Sequence, residues 1–244
     1  MPLDVTGWDL AICIAIVVAA AVVQGSIGFG INLMVAPVMA VLAPGSVPGA
    51  MVLLSLPLTI TMLLREHHAI DWFGVRWITA GRLPGTLIGL VILVMVSESM
   101  LSTVVGVVII AGVILSVVHR GVHVNRHTAF TSGIAAGTMG TAAAVDGPPM
   151  ALLYQHHEGH TIRATLAVCF VIGALVSATA LTVAGDLTLE QVKFTLVLLP
   201  GLLLGLGISH FVAPRLHPNV LRPAVLVFAG IAGAVAIMSG LTSS

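Results

Sequence analysis

The chain has 244 residues, of which 58% are hydrophobic and only 7% are charged. Soluble domains carry about 25% charged residues, so this composition excludes a soluble domain and indicates a polytopic membrane protein. The formal net charge is zero and there is no basic patch, which argues against nucleic acid as a partner. We expect a single domain over residues 1–244, because all the apolar surface belongs to one array of helices.

Apolar segments of the chain predict the membrane spans, each of which needs about 20 residues. Two apolar regions are interrupted by small polar residues: 9–43, which is broken at 24–30, and 128–154, which is broken at 137–148. Three uninterrupted segments follow each region, and their ranges are 46–64, 78–96, 100–118, 162–184, 190–212 and 219–241. Neither half of an interrupted region is long enough to cross comfortably alone.

Charged residues in the connections predict the topology, because loops rich in Lys and Arg stay in the cytoplasm. Four connections are placed inside by their arginines, which are Arg65, Arg76, Arg120, Arg126, Arg163, Arg215 and Arg222. The connections placed outside carry Glu98, or Asp186, Glu190 and Lys193. This threading puts both chain termini outside.

The topology predicts two inverted repeats in an all-helical fold. The segment 128–154 starts and ends inside, so it is a re-entrant hairpin or a pair of short spans, and its length favours the hairpin. The segment 9–43 enters from outside in the same way and is long enough for a pair. Repeat one then covers about 8–118 and repeat two about 128–241. Three spans per repeat is an odd number, so the second repeat is inverted.

Internal sequence matches support the duplication. Gly25, Gly28 and Pro37 match Gly137, Gly140 and Pro149 at one constant offset, and the segment from Pro84 to Gly89 matches that from Pro200 to Gly205. Small residues spaced by four also let helices approach closely in lipid, so packing alone explains the composition. It does not explain why the pattern recurs at equivalent places.

The two breaks predict an anion site near the bilayer midplane. Irregular backbone is tolerated there only beside a polar cavity, and the helix after each break offers its N-terminal N–H groups to that cavity. Glycine breaks at equivalent positions of two halves are typical of transporter binding sites. Helix packing is the alternative for the same glycines. The candidate ligands at the breaks are Gln24, Gly25, Ser26, Gly28, Gly30, Asn32, Thr138, Gly140, Thr141 and Gly147.

Two charged residues lie deep in apolar segments. Asp146 is either a proton carrier or the N-cap of the helix that begins at Gly147. If it carries a proton beside the anion, the substrate is coupled to protons. Arg82 either snorkels to the interface or pairs directly with an anion.

Two other functions are weighed against anion transport. A metal-cation transporter would use Asp146 and the histidines predicted on the inner face, which are His67, His68, His119, His123, His127, His156, His157, His160, His210 and His217. These histidines are spread over four connections, and none has the spacing of a zinc protease. An intramembrane enzyme would need a partner for Asp146, and none is evident. We expect no metal, no cofactor and no catalytic residue.

Three sets of residues carry a family resemblance: Gly25, Gly28 and Gly30 ending at Pro37; Gly137 and Gly140 ending at Gly147-Pro148-Pro149; and the two Pro-Gly-x-x-x-Gly segments. With these motifs the whole chain resembles the TauE/SafE family of bacterial inner-membrane transporters, the sulfite exporter family. The resemblance implies transport, usually export, of sulfite or organosulfonates such as sulfoacetate. This copy departs from the family in having an alanine run and Asp146 where more glycine is expected.

The sequence therefore predicts a multi-pass secondary transporter in the bacterial inner membrane. Its partners are the lipid bilayer and a small anion that binds between the breaks, and alternating access would follow from rocking of one repeat against the other. Proton coupling and a homodimer are both compatible with the sequence.

Overall fold

The computed structural model of the protein describes residues 5–117, 122–212 and 218–242. All regular elements within these ranges are helical. The α-helices in chain order are α1 Gly7–Ile27, α2 Ile31–Leu42, α3 Gly49–Arg65, α4 Trp72–Met95, α5 Glu98–Val117, α6 Arg126–Ala143, α7 Gly147–Tyr154, α8 Gly159–Ala184, α9 Leu189–Val212 and α10 Pro218–Thr242. The predicted inner-loop residues Arg120, Arg215, His119 and His217 lie outside the described ranges.

Six of the described helices are long and apolar enough to cross a membrane, namely α1, α4, α5, α8, α9 and α10. The sequence prediction made α3 a full span and the start of the chain too short to cross. The helix α1 is long enough to cross, and α3 is a shorter apolar helix at the lower limit for a span. The helix α1 has 21 residues and α3 has 17. At 1.5 Å per residue these are about 32 Å and about 26 Å long, against a hydrocarbon core of about 30 Å.

The first helix break lies where the sequence predicts it. The helix α1 ends at Ile27, and α2 begins at Ile31. Gly28 and Gly30 between them have φ angles of 94° and 116°. These left-handed conformations are open to glycine and costly for other residues. The sequence break is therefore a true interruption of the helix.

The second break begins at Ala144, about two helical turns later than the sequence predicts. The helix α6 runs through Gly137 and Gly140 without interruption and ends at Ala143. The chain then turns at Ala144, which has a φ of 59°, before α7 begins at Gly147. Alanine occupies the left-handed position that Gly28 has in the first break, at a cost of about 1–2 kcal/mol.

The glycines of α6 serve close helix packing, which explains why the helix continues through them. A Cβ on Gly137 would lie 2.5 Å from the carbonyl oxygen of Arg82 on α4. From the other side, Gly85 of α4 faces the backbone of Ile134 on α6. Side chains at these glycines would push the two helices apart, so the alternative interpretation as packing residues holds for Gly137.

The second Pro-Gly-x-x-x-Gly segment has the same role against the other broken helix. A Cβ on Gly205 of α9 would lie 2.5 Å from the carbonyl oxygen of Val18 on α1. In the opposite direction Gly25 of α1 faces Ser209 of α9. Gly25 is therefore a packing residue inside α1 and not part of the break.

Contacts between helices interleave the two halves of the chain. The helix α4 packs on α6, and its counterpart α9 packs on α1. Likewise, the contact of α2 with α10 corresponds to the contact of α7 with α5. The contact of α4 with α8 corresponds to the contact of α9 with α3. The helices α3 and α8, and α5 and α10, pair with each other. Each half therefore completes the other, and the two helix breaks meet between them.

Candidate functional site

Both helix breaks line one polar cavity between the halves. The N-terminal residues of α2, from Gly30 to Leu33, form one wall, and the segment from Val145 to Pro148 at the start of α7 forms another. Ser55 and Thr59 of α3 and Phe170 of α8 complete the lining. The cavity has a volume of about 20 Å³. That is room for about one water molecule, so the surrounding groups leave little space between the breaks.

Side chains from the first break tie the α2 side of the cavity together. The Gln24 side-chain oxygen accepts a hydrogen bond from the Ile31 N–H at 2.9 Å and so caps α2. The Asn32 amide donates to the Ala144 carbonyl oxygen at 2.7 Å and joins the two breaks directly. The Asn32 Oδ1 atom is buried and has no hydrogen-bond partner. Because the amide lines the cavity, this acceptor is available to a bound molecule or water.

The N-terminus of α7 offers fewer donors than that of α2. Its first three positions are Gly147, Pro148 and Pro149, and proline has no N–H group. Gly147 thus supplies the one N–H of these three. The two helix N-termini meet at one cavity, but most of the free backbone donors there come from α2.

Arg82 and Asp146 form a buried ion pair beside the cavity. The Arg82 Nη2 and Asp146 Oδ2 atoms are 2.8 Å apart, and the Arg82 side chain is only 2% exposed. Arg82 therefore does not snorkel to the interface. Asp146 stands at the N-cap position of α7, but its side chain makes no capping hydrogen bond there. The carboxylate is held by the guanidinium instead.

Two glycines make room for this guanidinium. Gly173 of α8 lies directly against it, and a Cβ on Gly140 would lie 2.9 Å from both the Arg82 Nη2 atom and the Asp146 Cβ atom. The Arg82 Nε and Nη1 atoms are buried without a hydrogen-bond partner. The hydroxyl of Thr86, four residues later in the same helix, is also buried and has no hydrogen-bond partner. An unpaired buried donor costs about 1–3 kcal/mol, more when it is charged. The site therefore holds donor capacity that the protein itself does not use.

Two of the candidate polar residues face other helices instead of the cavity. The Thr138 hydroxyl donates to the Gly85 carbonyl oxygen at 3.1 Å. The Thr141 and Ser177 hydroxyls are 3.0 Å apart. Thr138 and Thr141 join helices, because α6 continues past both of them.

Ser26 and Gly28 lie on the other side of the first break. Ser26 donates to the Val22 carbonyl oxygen at 2.7 Å and lines a second, separate cavity. A Cβ on Gly28 would lie 2.7 Å from the Cγ atom of Arg163. Both residues thus belong to the surroundings of Arg163 and not to the cavity between the breaks.

A comparison with protein families decides the identity of the chain. Residues 13–236 match the family described as Sulfite exporter TauE/SafE. The chain belongs to the TauE/SafE family. This confirms the resemblance that the sequence motifs carry. The TauE/SafE proteins are membrane transporters and not enzymes, so the protein is a multi-pass membrane transporter whose substrate is a small anion. Searches of curated proteins and of solved structures gave no match.

Sequence reasoning missed four residues at the site of this TauE/SafE protein. Ser55 and Thr59 stand four apart in α3, and their shared polar face was the available signal. Phe170 and Gly173 of α8 have no comparable signal, because apolar and small residues are common throughout the helix. Only the packing of α8 against α4 brings Gly173 to the guanidinium of Arg82.

The described histidines of this TauE/SafE protein do not gather around a metal position. Among the described residues no group of three or more His, Cys, Asp or Glu side chains could hold an ion. His157 packs against the Tyr154 ring at a centroid distance of 5.0 Å, and His160 lies 3.1 Å from Glu158. The metal-cation alternative gains no support from these contacts.

Proposed function

We propose that this protein is a secondary transporter that exports sulfite or an organosulfonate such as sulfoacetate by alternating access. The observation that carries the proposal is the meeting of two helix breaks at one small polar cavity, with the Arg82–Asp146 pair beside it. Broken helices at corresponding places in two halves are typical of binding sites in secondary transporters.

The proposal includes two inverted repeats, over about 8–118 and 128–241. Support comes from the pairing of helices, since the main contacts between the halves have counterparts with the halves exchanged, as α4 on α6 and α9 on α1. A twofold relation of this kind brings equivalent elements to a shared centre. Rocking of one repeat against the other would then open the cavity to each side in turn.

The anion would be held by N–H groups and by Arg82. The three oxygens of a sulfonate or sulfite accept several hydrogen bonds at once. Donors available for this are the unused guanidinium nitrogens of Arg82, the Gly147 N–H and the first N–H groups of α2 after Ile31. A cavity of about 20 Å³ is too small for the anion, so binding requires the two breaks to move apart.

Asp146 would couple the anion to a proton. The carboxylate occupies the guanidinium that the anion needs, and two negative groups on one arginine repel each other. A proton on Asp146 removes this competition and releases Arg82 to the anion. Export of the remaining negative charge is favoured by an inside-negative membrane potential, by about 2.3 kcal/mol per charge at 100 mV.

The test is uptake of radiolabelled sulfite by proteoliposomes that contain the purified protein. Arg82→Met should abolish uptake, because the guanidinium is the main positive charge at the site. Asp146→Asn should retain uptake but lose its dependence on pH. The matched control is Arg76→Gln, at an exposed arginine of the same helix. Uptake by Arg82→Met at the rate of this control would contradict the proposal.

A further inference from the structure

A second cavity lies on the other side of the first helix break. It has a volume of about 170 Å³, several times that of the cavity between the breaks. Its walls include Phe29 of the first break, Ala151 of α7, Gly159 and Arg163 of α8 and Arg222 of α10. We call this space the vestibule.

One aromatic side chain separates the vestibule from the cavity between the breaks. Phe29 lines the vestibule, whereas its neighbour Gly30 lines the inner cavity. Gly147 also lines the inner cavity, and a Cβ there would lie 3.4 Å from the Cβ of Phe29. Phe29 is 6% exposed and is flanked by Gly28 and Gly30, both with positive φ. Glycine on both sides leaves this segment free to change its backbone angles.

Two arginines give the vestibule a positive wall. The Arg163 Nε atom donates to the Glu66 Oε1 atom, and both side chains are about one-third exposed. The Arg222 Nη2 atom donates to the Ser116 carbonyl oxygen at 3.0 Å. Two cations and one carboxylate leave this group with a net positive charge. The wall also contains Gly159 at the start of α8. The side chain of the N-cap residue of α8 makes no hydrogen bond to the first N–H groups of this helix.

The Glu66–Arg163 pair is poorly matched. Glu66 binds Arg163 through a single oxygen at Nε, and its Oε2 atom is buried without a hydrogen-bond partner. A guanidinium binds an oxyanion best through two parallel N–H groups. An incoming oxyanion that uses both has an advantage over the resident carboxylate.

We propose that the vestibule is a second anion site, at which a small oxyanion displaces Glu66 from Arg163 and also contacts Arg222. The proposal deepens the proposed function and rests on it for the identity of the anion. It adds an order of events. The vestibule has room for the anion and the inner cavity is too small for it, so the anion occupies the vestibule first on this face and reaches Arg82 after Phe29 moves.

The experiment is calorimetric titration of sulfite into the purified protein in detergent, with single substitutions in the vestibule. Arg163→Gln and Arg222→Gln should each weaken sulfite binding by about tenfold, the equivalent of one charged hydrogen bond. Glu66→Gln should strengthen it several-fold, because the competing carboxylate is gone. Arg65→Gln is the matched control, since Arg65 adjoins Glu66 in sequence and is exposed. It should leave the affinity unchanged.

Opposite effects of Glu66→Gln and Arg163→Gln separate an anion site from a structural ion pair. If the pair only stabilised the fold, both substitutions would change sulfite binding in the same direction or not at all, and that result would overturn the proposal. Arg163→Lys keeps the charge and loses the paired N–H groups, so it should bind sulfite with intermediate affinity. It tests the site even if Arg163→Gln does not fold.

The two proposals fail in different ways. Sulfite binding that depends on Arg163 and Glu66 as expected, without transport in proteoliposomes, would overturn the proposed function and leave the vestibule site standing. Transport that depends on Arg82, with equal affinities in all the vestibule variants, would overturn the vestibule site alone. Absence of any sulfite binding by the native protein would overturn both.

Discussion

Gly173→Ala should break the buried ion pair between Arg82 and Asp146, although neither of these two residues is substituted. Gly173 of α8 lies against the guanidinium of Arg82, and a methyl group at this position would overlap the guanidinium carbon and both terminal nitrogens. The guanidinium must therefore leave its present position, in which its Nη2 atom is 2.8 Å from the Asp146 Oδ2 atom. Its surroundings are closed, since the Arg82 side chain is 2% exposed.

The size of the effect follows from two opposing contributions. Removing one partner from a buried ion pair costs about 3–5 kcal/mol. Alanine is favoured over glycine in a helix interior by about 1 kcal/mol. The free energy of unfolding should therefore fall by about 2–4 kcal/mol. Sulfite uptake should fall with it, because the displaced guanidinium no longer faces the site.

The measurement is the free energy of unfolding in detergent, with Gly207→Ala as the matched control. Gly207 lies in α9 and has no atom within 4 Å of a Cβ placed on it. This control should be neutral or more stable by up to about 1 kcal/mol. Equal stability of Gly173→Ala and Gly207→Ala would show that the guanidinium is not confined by Gly173.

A double-mutant cycle locates the effect at Arg82. In an Arg82→Met background the guanidinium is absent, so Gly173→Ala should lose most of its cost. An unchanged cost in that background would refute the reasoning, because residues in contact are coupled and independent residues are not.

Three further predictions concern contacts around the breaks. Asn32→Ala removes the 2.7 Å bond to the Ala144 carbonyl and should lower the free energy of unfolding by about 1–3 kcal/mol; an unchanged value would mean that the breaks do not depend on this bond. Tyr154→Phe removes the 2.7 Å bond to the Asp71 carboxylate and should cost about 1.5–3 kcal/mol in the same measurement; an unchanged value would mean that this bond does not stabilise the fold. Phe29→Ala should raise sulfite leakage from proteoliposomes, since the substitution joins the vestibule to the inner cavity. Slower leakage would contradict the role of Phe29 as a barrier.

Much of the fold was predictable because lipid imposes simple rules. A helix satisfies its own backbone, so long apolar segments had to be helices and their ends could be placed within a few residues. The segments predicted at 78–96 and 190–212 correspond to α4 and α9. The first break was predictable for a similar reason, since Gly28 and Gly30 permit left-handed backbone that other residues avoid.

The second break was misplaced because glycine has two uses in a membrane helix. Gly137 and Gly140 match Gly25 and Gly28 in sequence, yet only Gly28 turns the backbone. Gly25 and Gly137 let helices pack closely, Gly140 makes room for the Arg82–Asp146 pair, and the turn of the second half falls on Ala144. A sequence does not show whether a missing side chain makes room for a turn or for a neighbouring helix.

The sequence by itself determined the class of the protein, its family and the presence of two interrupted segments. Only the tertiary structure decided which polar groups meet. Arg82 and Asp146 lie far apart in the chain, and they pair because α4 packs on α6 and Gly173 leaves space for the guanidinium. Local propensity and burial follow from neighbouring residues, whereas an ion pair across helices depends on how those helices pack.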